Sequence, residues 1–169
     1  MHSFQPYPID LLEINPFTKF SNEWCAITAE HDGKANAMTA SWGGVGVLWG
    51  KNVVTIYVRD TRYTKELIDN SDTFSLTFFD DSKFKSTLNY LGQVSGRNEV
   101  KLAGARLHID HHMDVPFIDE GNFVIVCKKL SATRITEDSF IDPTLKEKWY
   151  SDGNMHTMYI GEILDVVAR

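Results

Sequence analysis

The apolar residues of this chain fall into short runs rich in Val, Ile, Phe and Tyr, a pattern that predicts β-strands. The clearest run is "NVVTIYVR" at 52–59. Further strands are predicted at 73–80 ("TFSLTFFD"), 106–113 ("RLHIDHHM"), 122–135 ("NFVIVCKKLSATRI") and 156–168 ("HTMYIGEILDVVA"), the last with a bulge at Gly161.

Turn and helix signals are confined to a few segments. Asp32-Gly33 is a strong tight-turn signal between two strand-like runs, and predicts a β-hairpin over 24–49. Short helices are predicted over 60–71, with Asp60 or Thr61 as the N-cap, and over 82–93. The remaining segments are predicted as an irregular lead-in (1–20), a loop (94–105), and a helical turn with a loop (145–155).

The sum is about six or seven strands with two short helices, which favours a mainly β fold, a small antiparallel barrel that is closed or partly open. A length of 169 residues suits one domain spanning 1–169. No G-x-G-x-x-G follows a strand and no G-x-x-x-x-G-K-[ST] is present, so neither a Rossmann nor a P-loop nucleotide site is expected.

Composition narrows the classes of function. A net charge of −6 argues against a dedicated nucleic-acid binder. Cys25 and Cys127 each lie inside an apolar run and are expected to be buried, reduced thiols. Neither a signal peptide nor a membrane-length apolar stretch is visible, so a cytoplasmic protein that makes no membrane contact is predicted.

Chemistry-bearing motifs are few. His108, Asp110 and His112 would share one face of a strand, but no Cys or Glu cluster completes a ligand set, so metal binding is the minor interpretation and no metal site is predicted. Neither a nucleophile motif nor a paired-carboxylate arrangement is evident, and no catalytic protein residue is predicted.

Two segments have the composition of a ligand site. "NAMTASWGG" (36–44) mixes small residues, hydroxyls, an amide and a Trp; the alternative is a core strand whose Trp42 simply packs. In "RDTRYTKE" (59–66), cations lie at a helix start, where the dipole disfavours them unless an anion is also bound. The alternative there is a surface helix whose Arg62 and Lys65 pair with nearby acids.

These motifs, together with "VSGRNEVK" (94–101) and the closing "HTMYIGEI", resemble the flavin reductase-like proteins of the FMN-binding split-barrel class, and within it the flavoredoxin-type branch. The resemblance covers about residues 22 to 167 and is most specific where N-x-M-T-x-S-W is combined with R-x-x-R-Y-T. One departure is "VLWGKN", where many relatives carry a Pro pair; it leaves the position of Trp49 open.

The resemblance implies a small antiparallel split β-barrel with FMN as the cofactor. The isoalloxazine ring would lie along Asn36, Met38, Thr39, Ala40, Ser41 and Trp42. The phosphate would be held at the 59–64 segment by Arg59, Arg62 and Thr64, with help from Ser41, and Tyr63 of the same segment would also bind the cofactor. The loop carrying Ser95, Gly96, Arg97 and Lys101 would close over the cofactor, with Lys101 near the phosphate or the ring edge. Tyr159, on the last strand, would contact the ring from elsewhere in the dimer.

The activity implied by the resemblance is electron transfer between NAD(P)H, or a redox partner protein, and an acceptor. The alternative is a non-catalytic flavin carrier or sensor. A third interpretation is an enzyme similar to pyridoxamine-phosphate oxidase. It is disfavoured because the Arg and His pattern that binds the substrate phosphate in such enzymes is not evident in this sequence. A homodimer is expected, with Trp49, Phe117 and Trp149 as interface residues.

Overall fold

The computed structural model describes residues 1–169 and is built mainly of β-strands. The strands are β1 (Gln5–Pro6), β2 (Cys25–His31), β3 (Lys34–Ala40), β4 (Gly43–Leu48), β5 (Lys51–Arg59), β6 (Thr73–Phe78), β7 (Ile109–His112), β8 (Val115–Ile118), β9 (Phe123–Arg134) and β10 (His156–Ala168). The α-helices are α1 (Pro16–Thr18), α2 (Tyr63–Asp69), α3 (Phe84–Gln93), α4 (Lys101–Gly104) and α5 (Pro143–Trp149). A π-helical turn, Lys19–Glu23, follows α1, and 3-10 turns lie at Ile9–Leu11 and Glu137–Ser139.

One antiparallel sheet carries the fold, in the order β3-β2-β6-β9-β10-β5-β4, with β1 added beside β10. The β2–β3 hairpin turns at Asp32 and Gly33, whose φ angles are 50° and 70°, as the turn signal predicts. Although β3 and β4 are joined by only Ser41 and Trp42, they lie at opposite ends of this order. The sheet is therefore split where the chain passes from β3 to β4.

β10 joins the two halves of the sheet, because it pairs with β9 on one side and β5 on the other. Its register shifts between Ile160 and Gly161, which confirms the predicted bulge, and again between Ile163 and Asp165. A Cβ on Gly161 would lie 2.6 Å from Cζ of Phe74, so glycine is needed for close packing at the bulge.

The main core lies inside the curved sheet and includes Cys25 and Cys127, both fully buried and free, as predicted. Burial raises the pKa of both thiols, so they stay protonated at neutral pH. Leu67 and Ile68 attach α2 to this core.

Some local predictions are wrong. The N-cap of α2 is Arg62, which makes no side-chain capping bond, rather than Asp60 or Thr61. Helix α4 lies in the segment predicted as a loop. Strand β8, absent from the prediction, pairs with β7 in a separate two-stranded ribbon. Phe117 of β8 is only 2% exposed and packs edge-on against Phe4, so it is no interface residue.

The histidines at 108–112 pair with separate carboxylates. His108 Nδ1 lies 2.6 Å from Glu120, and His112 Nε2 lies 2.8 Å from Asp165. His111, on the other side of the ribbon, contacts Glu30 at 2.9 Å. The His108 pair joins the two ends of the ribbon, and the pairs of His111 and His112 attach the ribbon to β2 and β10. No helix of the structure combines the length and apolarity needed to cross a membrane.

Candidate cofactor cleft

Three adjoining pockets form a cleft beside the split in the sheet. The cationic pocket, about 250 Å³, is lined by Met38, Arg59, Thr61, Arg62, Tyr63, Thr64, Gln93, Val94, Ser95, Gly96, Lys101 and Asn154. The middle pocket, about 180 Å³, is lined by Met38, Thr39, Ala40, Ser41, Trp42, Tyr57, Arg59, Arg62, Trp149 and His156. The aromatic pocket, about 580 Å³, is lined by Pro16, Phe17, Phe20, Ser21, Ser41, Trp42, Gly43, Gly44, Val45, Tyr57, Ile135 and Tyr150.

The three pockets adjoin one another, and neighbouring ones share lining residues. Met38, Arg59 and Arg62 belong to both the cationic and the middle pocket. Ser41, Trp42 and Tyr57 belong to both the middle and the aromatic pocket. The cleft thus changes along its length from positively charged to uncharged and aromatic.

The strands place the middle pocket's side chains by register. Tyr57 and Arg59 are two residues apart on β5 and so share one face of the sheet. Arg59 is the direct partner of His156 on β10, which brings the last strand to the cleft.

Arg59 holds one wall of the cleft in place. Its Nη1 donates to the carbonyl of Asn154 at 2.6 Å and its Nη2 to that of Trp149 at 3.1 Å. The guanidinium also lies 5.2 Å from the centre of the Tyr150 ring, within cation–π range. The Arg59 side chain therefore helps to attach the segment after α5 to β5.

Arg62 and Lys101 both meet the C-terminal end of α3. Arg62 Nη1 donates to the carbonyl of Gly92 at 2.5 Å, and Lys101 Nζ donates to Leu91 at 2.9 Å and Val94 at 3.1 Å. Cations at a helix C-terminus satisfy its free carbonyls and complement its dipole. None of Arg59, Arg62 and Lys101 makes a salt bridge, unlike the surface pair Lys65–Asp69.

The pKa values of Arg62 and Lys101 are lowered by burial. Burial, then the charge of Arg62, lowers the pKa of Lys101 to about 8. Burial, then the charge of Arg59, also lowers the pKa of Arg62. Three partly desolvated positive charges without a carboxylate make a site that an anion would stabilise.

The middle pocket is walled by aromatic rings. Trp42 meets Trp149 edge-on, with ring centres 5.1 Å apart, and lies 5.2 Å from the ring of His156. His156 Nδ1 and the Tyr150 hydroxyl are hydrogen-bonded at 2.7 Å. Burial, followed by the charges of Arg59 and Arg62, lowers the pKa of His156 to about 4, so the imidazole is neutral at pH 7.

Close packing fixes the loop over the cationic pocket. Asn36 Nδ2 donates to Thr64 Oγ1 at 2.8 Å, deep below the loop. A Cβ on Gly96 would lie 2.5 Å from Asn36 Oδ1 and 2.8 Å from Cδ1 of Tyr63. Only glycine lets the loop backbone approach this closely.

The structure brings most of the predicted site residues together along the cleft. They are Met38, Thr39, Ala40, Ser41, Trp42, Arg59, Arg62, Tyr63, Thr64, Ser95, Gly96 and Lys101. Asn36 is buried behind the lining and supports Thr64. The alternative for this segment was that Arg62 and Lys65 both pair with surface acids. Lys65 does pair with Asp69, but Arg62 donates to the carbonyl of Gly92 instead.

Arg97 and Tyr159 lie outside the lining. Arg97 is salt-bridged to Glu66, donates to the carbonyl of Thr61 at 2.9 Å, and lies over the Tyr63 ring. Tyr159 is fully buried in the main core, with its hydroxyl donating to Asp69 at 2.5 Å. The expected contact of Tyr159 with the ring is therefore wrong, because its position on β10 faces the core.

Sequence reasoning missed several lining residues: Tyr57, Gln93, Trp149, Asn154 and His156. Tyr57 was detectable by its spacing from Arg59 on one strand face. Asn154 Oδ1 is buried without a hydrogen-bond partner, while its Nδ2 donates to Thr61 Oγ1 at 2.9 Å. An unpaired buried polar atom beside the cationic pocket fits a cleft made for a polar ligand.

The cleft fits a long ligand with one anionic end and one flat end. FMN has this shape: its phosphate suits the cationic pocket, and its ring suits the space beside Met38 and Trp42. No side chain of the cleft is an activated nucleophile, so the chemistry this lining favours is that of a bound group.

Residues 17–169 match the model of the flavin reductase like domain. No sequence among the curated proteins compared matches the chain.

Solved structures share the fold. Flavoredoxin from Methanosarcina acetivorans superposes with a TM-score of 0.68 at 21% identity, covering 87% of this chain and 68% of that one. An FMN-binding domain of a flavin reductases-like enzyme from Shewanella baltica OS155 gives 0.70 at 15% identity, covering 98% and 77%. The styrene monooxygenase flavin reductase from Pseudomonas putida S12 gives 0.61 at 12% identity, covering 86% and 80%. The predicted split β-barrel fold is thereby confirmed.

Proposed function

Because the chain belongs to the flavin reductase-like family, we propose that it binds FMN and transfers electrons between a reduced donor and an acceptor. When bound, the flavin supplies the redox chemistry, while the chain binds it, orients it and leaves part of it accessible. The observation that carries this proposal is the change along one cleft from three unpaired cations to a flat aromatic space.

The cationic pocket supports a terminal phosphate at that end. Arg59, Arg62 and Lys101 contribute positive charge, and Thr61 and Thr64 line the same pocket. Each charge-assisted hydrogen bond is worth about 1.5–3 kcal/mol. Losing the phosphate is therefore expected to weaken binding by at least about a hundredfold.

The middle pocket supports the ring. Met38 and Trp42 offer apolar surface, and the half-buried guanidinium groups of Arg59 and Arg62, which line the same pocket, would favour negative charge on a reduced ligand. His156 is neutral at pH 7, so it can form hydrogen bonds to a ligand without adding a third positive charge to those of Arg59 and Arg62.

The electron donor follows from the resemblance to flavin reductases: a reduced nicotinamide, or a redox protein. We further propose that the working unit is a homodimer. A cleft on the outside of a small barrel gains a second wall from a symmetric copy.

The first experiment is calorimetric titration of the protein with FMN, FAD and riboflavin. FMN is expected to bind most tightly, because it alone ends in a phosphate monoester that suits three cations. Equal affinity for FMN and riboflavin would contradict the assignment of the cationic pocket to the phosphate.

The second experiment measures NADH and NADPH oxidation by the FMN-loaded protein under steady-state conditions. Turnover above that of free FMN supports an oxidoreductase. Tight FMN binding without turnover by either nicotinamide, or by reduced redox proteins, would favour the carrier or sensor function instead.

A further inference from the structure

Tyr150 and His156 form a hydrogen-bonded pair beside the cleft. The Tyr150 hydroxyl oxygen lies 2.7 Å from His156 Nδ1, and both side chains are buried. His156 lines the middle pocket and Tyr150 does not, so the hydroxyl holds the imidazole from outside that pocket. Either group can donate in such a pair, and the direction decides which nitrogen of the imidazole carries the proton.

The surroundings of the hydroxyl determine the direction of this bond. The Tyr150 hydroxyl makes no other hydrogen bond in the chain, so Nδ1 of His156 is the one acceptor that the chain offers to its proton. If Nδ1 were the donor, the hydroxyl proton would be left unpaired in a buried position, which is costly. The hydroxyl therefore donates to Nδ1.

A donating hydroxyl fixes where the imidazole is protonated. Burial, followed by the charges of Arg59 and Arg62, lowers the pKa of His156 to about 4, so the ring is neutral at pH 7 and has a single N–H. Because Nδ1 accepts a hydrogen bond, this proton must be on Nε2.

The Nε2 atom is free to meet a ligand. It makes no hydrogen bond within the chain, and unlike the unpaired Oδ1 of Asn154 it is not sealed from solvent. The imidazole lines the middle pocket, with its centre 5.2 Å from that of the Trp42 ring. An N–H group at this position is available to an acceptor atom of a bound molecule.

We infer that Tyr150 is a positioning residue, whose hydroxyl holds His156 as a hydrogen-bond donor, through its Nε2–H, to the ligand of the middle pocket. The inference rests on the proposed function, in which that ligand is the flavin. A donor beside Arg59 and Arg62 stabilises an acceptor atom that becomes more negative on reduction. The opposite tautomer would present a lone pair and disfavour the same charge. Tyr150 thus favours the reduced ligand without adding a charge to the site.

The first test reads the tautomer directly. NMR of FMN-free protein with ¹⁵N-labelled histidine is recorded at pH 7, and the signals of His156 are those absent from His156→Gln. The wild type is expected to carry the proton on Nε2 alone, and Tyr150→Phe to show a larger share of the Nδ1-protonated ring. A wild-type ring protonated on Nδ1, or an unchanged tautomer in Tyr150→Phe, would overturn the inference.

Tyr7→Phe is the matched control. The Tyr7 hydroxyl also donates a hydrogen bond, to the carbonyl of Leu11 at 3.3 Å, but Tyr7 lines none of the three pockets. Its removal should leave the His156 signals as in the wild type. A change in these signals as large as that in Tyr150→Phe would show that the tautomer does not depend on Tyr150, and would overturn the inference.

The second test measures the reduction potential of bound FMN, which reports the affinity for reduced relative to oxidised flavin. His156→Phe should lower this ratio at least tenfold, a shift of about 30 mV to more negative potential for a two-electron couple. Tyr150→Phe should lower it at least threefold, and Tyr7→Phe should not change it. An unchanged potential in His156→Phe would overturn the role as a donor.

Two further results are separable from these. If Tyr150→Phe does not fold, the tautomer of the wild type and the potential of His156→Phe still decide the inference. If the wild type does not bind FMN, the proposed function fails and the N–H has no flavin to stabilise. The spectrum of the FMN-free protein then still decides whether Tyr150 sets the tautomer of His156.

Discussion

Lys101 is only 3% exposed, yet its ammonium group meets carbonyl oxygens and no carboxylate. Its lowered pKa, about 8, places its titration close to neutral pH. The group thus loses its charge in the free protein at a pH where an exposed lysine keeps it. A bound phosphate would restore the charge, since a nearby anion favours the protonated amine.

FMN affinity should therefore fall as pH rises above about 8, by up to about tenfold per pH unit, because binding then requires uptake of a proton by Lys101. Calorimetric titration from pH 7 to 9.5 checks this. Riboflavin, which lacks the phosphate, serves as the control and should show a flatter profile. The variant Lys101→Met should bind FMN more weakly at pH 7 and lose the pH dependence; a slope unchanged in that variant would contradict the assignment.

Trp42 provides a spectroscopic report on the ring. Its fluorescence is expected to be quenched when FMN binds, and Trp42→Phe should lose much of that quenching while still folding. Trp149, in contact with Trp42, adds to the signal. Trp49→Phe is the matched control, because Trp49 is 60% exposed and lines none of the three pockets. Quenching lost equally in both variants would place the ring away from Trp42.

At the scale of elements, local signals predicted local structure. The β2–β3 hairpin, β5 and α3 were predictable because a Gly-containing turn, a β-branched run and helical spacing act over a few residues. Helix α4 was not, since its four residues are held by tertiary contacts and carry no pattern of their own.

In the site, too, residues close together in sequence were predictable, and residues brought together by strand pairing were not. Residues within one motif, such as Arg59 and Arg62, were found together. Trp149 and His156 were missed because they reach the cleft only through the pairing of β10 with β5 and the bonds of Arg59. Tyr159 was misplaced because the face a β10 residue presents depends on that pairing, which a single sequence does not show.

In the loop at 94–100, Gly96 lets the backbone lie close to the side chains of Asn36 and Tyr63. Gly96→Ala would place a methyl group against Asn36 and the Tyr63 ring, so the loop must move away from the cationic pocket. We expect a loss of stability of about 1–3 kcal/mol and a faster release of FMN. Urea denaturation and stopped-flow displacement of FMN measure the two effects.

Gly46→Ala is the matched control for that experiment. Gly46 lies in β4, and a Cβ there would meet no atom within 4 Å. This variant should leave both stability and FMN release nearly unchanged. Similar effects of the two substitutions would show that glycine is not specifically required at position 96.

The molecule as a whole presents an apolar surface around the β4–β5 hairpin. Val47 is 74% exposed and Trp49 60%, and β4, an edge strand, carries no charged residue. Natural edge strands are usually protected by charge or by a covering element. A second copy of the chain is the covering element that the proposed homodimer supplies.

Sedimentation equilibrium at micromolar concentration tests the dimer. A mass of twice 19.2 kDa is expected, and Trp49→Lys should shift the equilibrium towards monomer. Ile141→Lys, also on the surface but away from this hairpin, is the control. A monomer that retains full FMN affinity would contradict a cleft completed by the partner.

The central place of β10 has a consequence for how the protein is made. During synthesis the β2–β3 and β4–β5 hairpins leave the ribosome early, but β4 and β5 connect to the rest of the sheet only through β10. Until residues 156–168 have emerged, the nascent chain carries Trp42 and Arg59 without the wall formed by Trp149 and His156. The proposed FMN site is therefore incomplete until β10 has been made and has paired with β5.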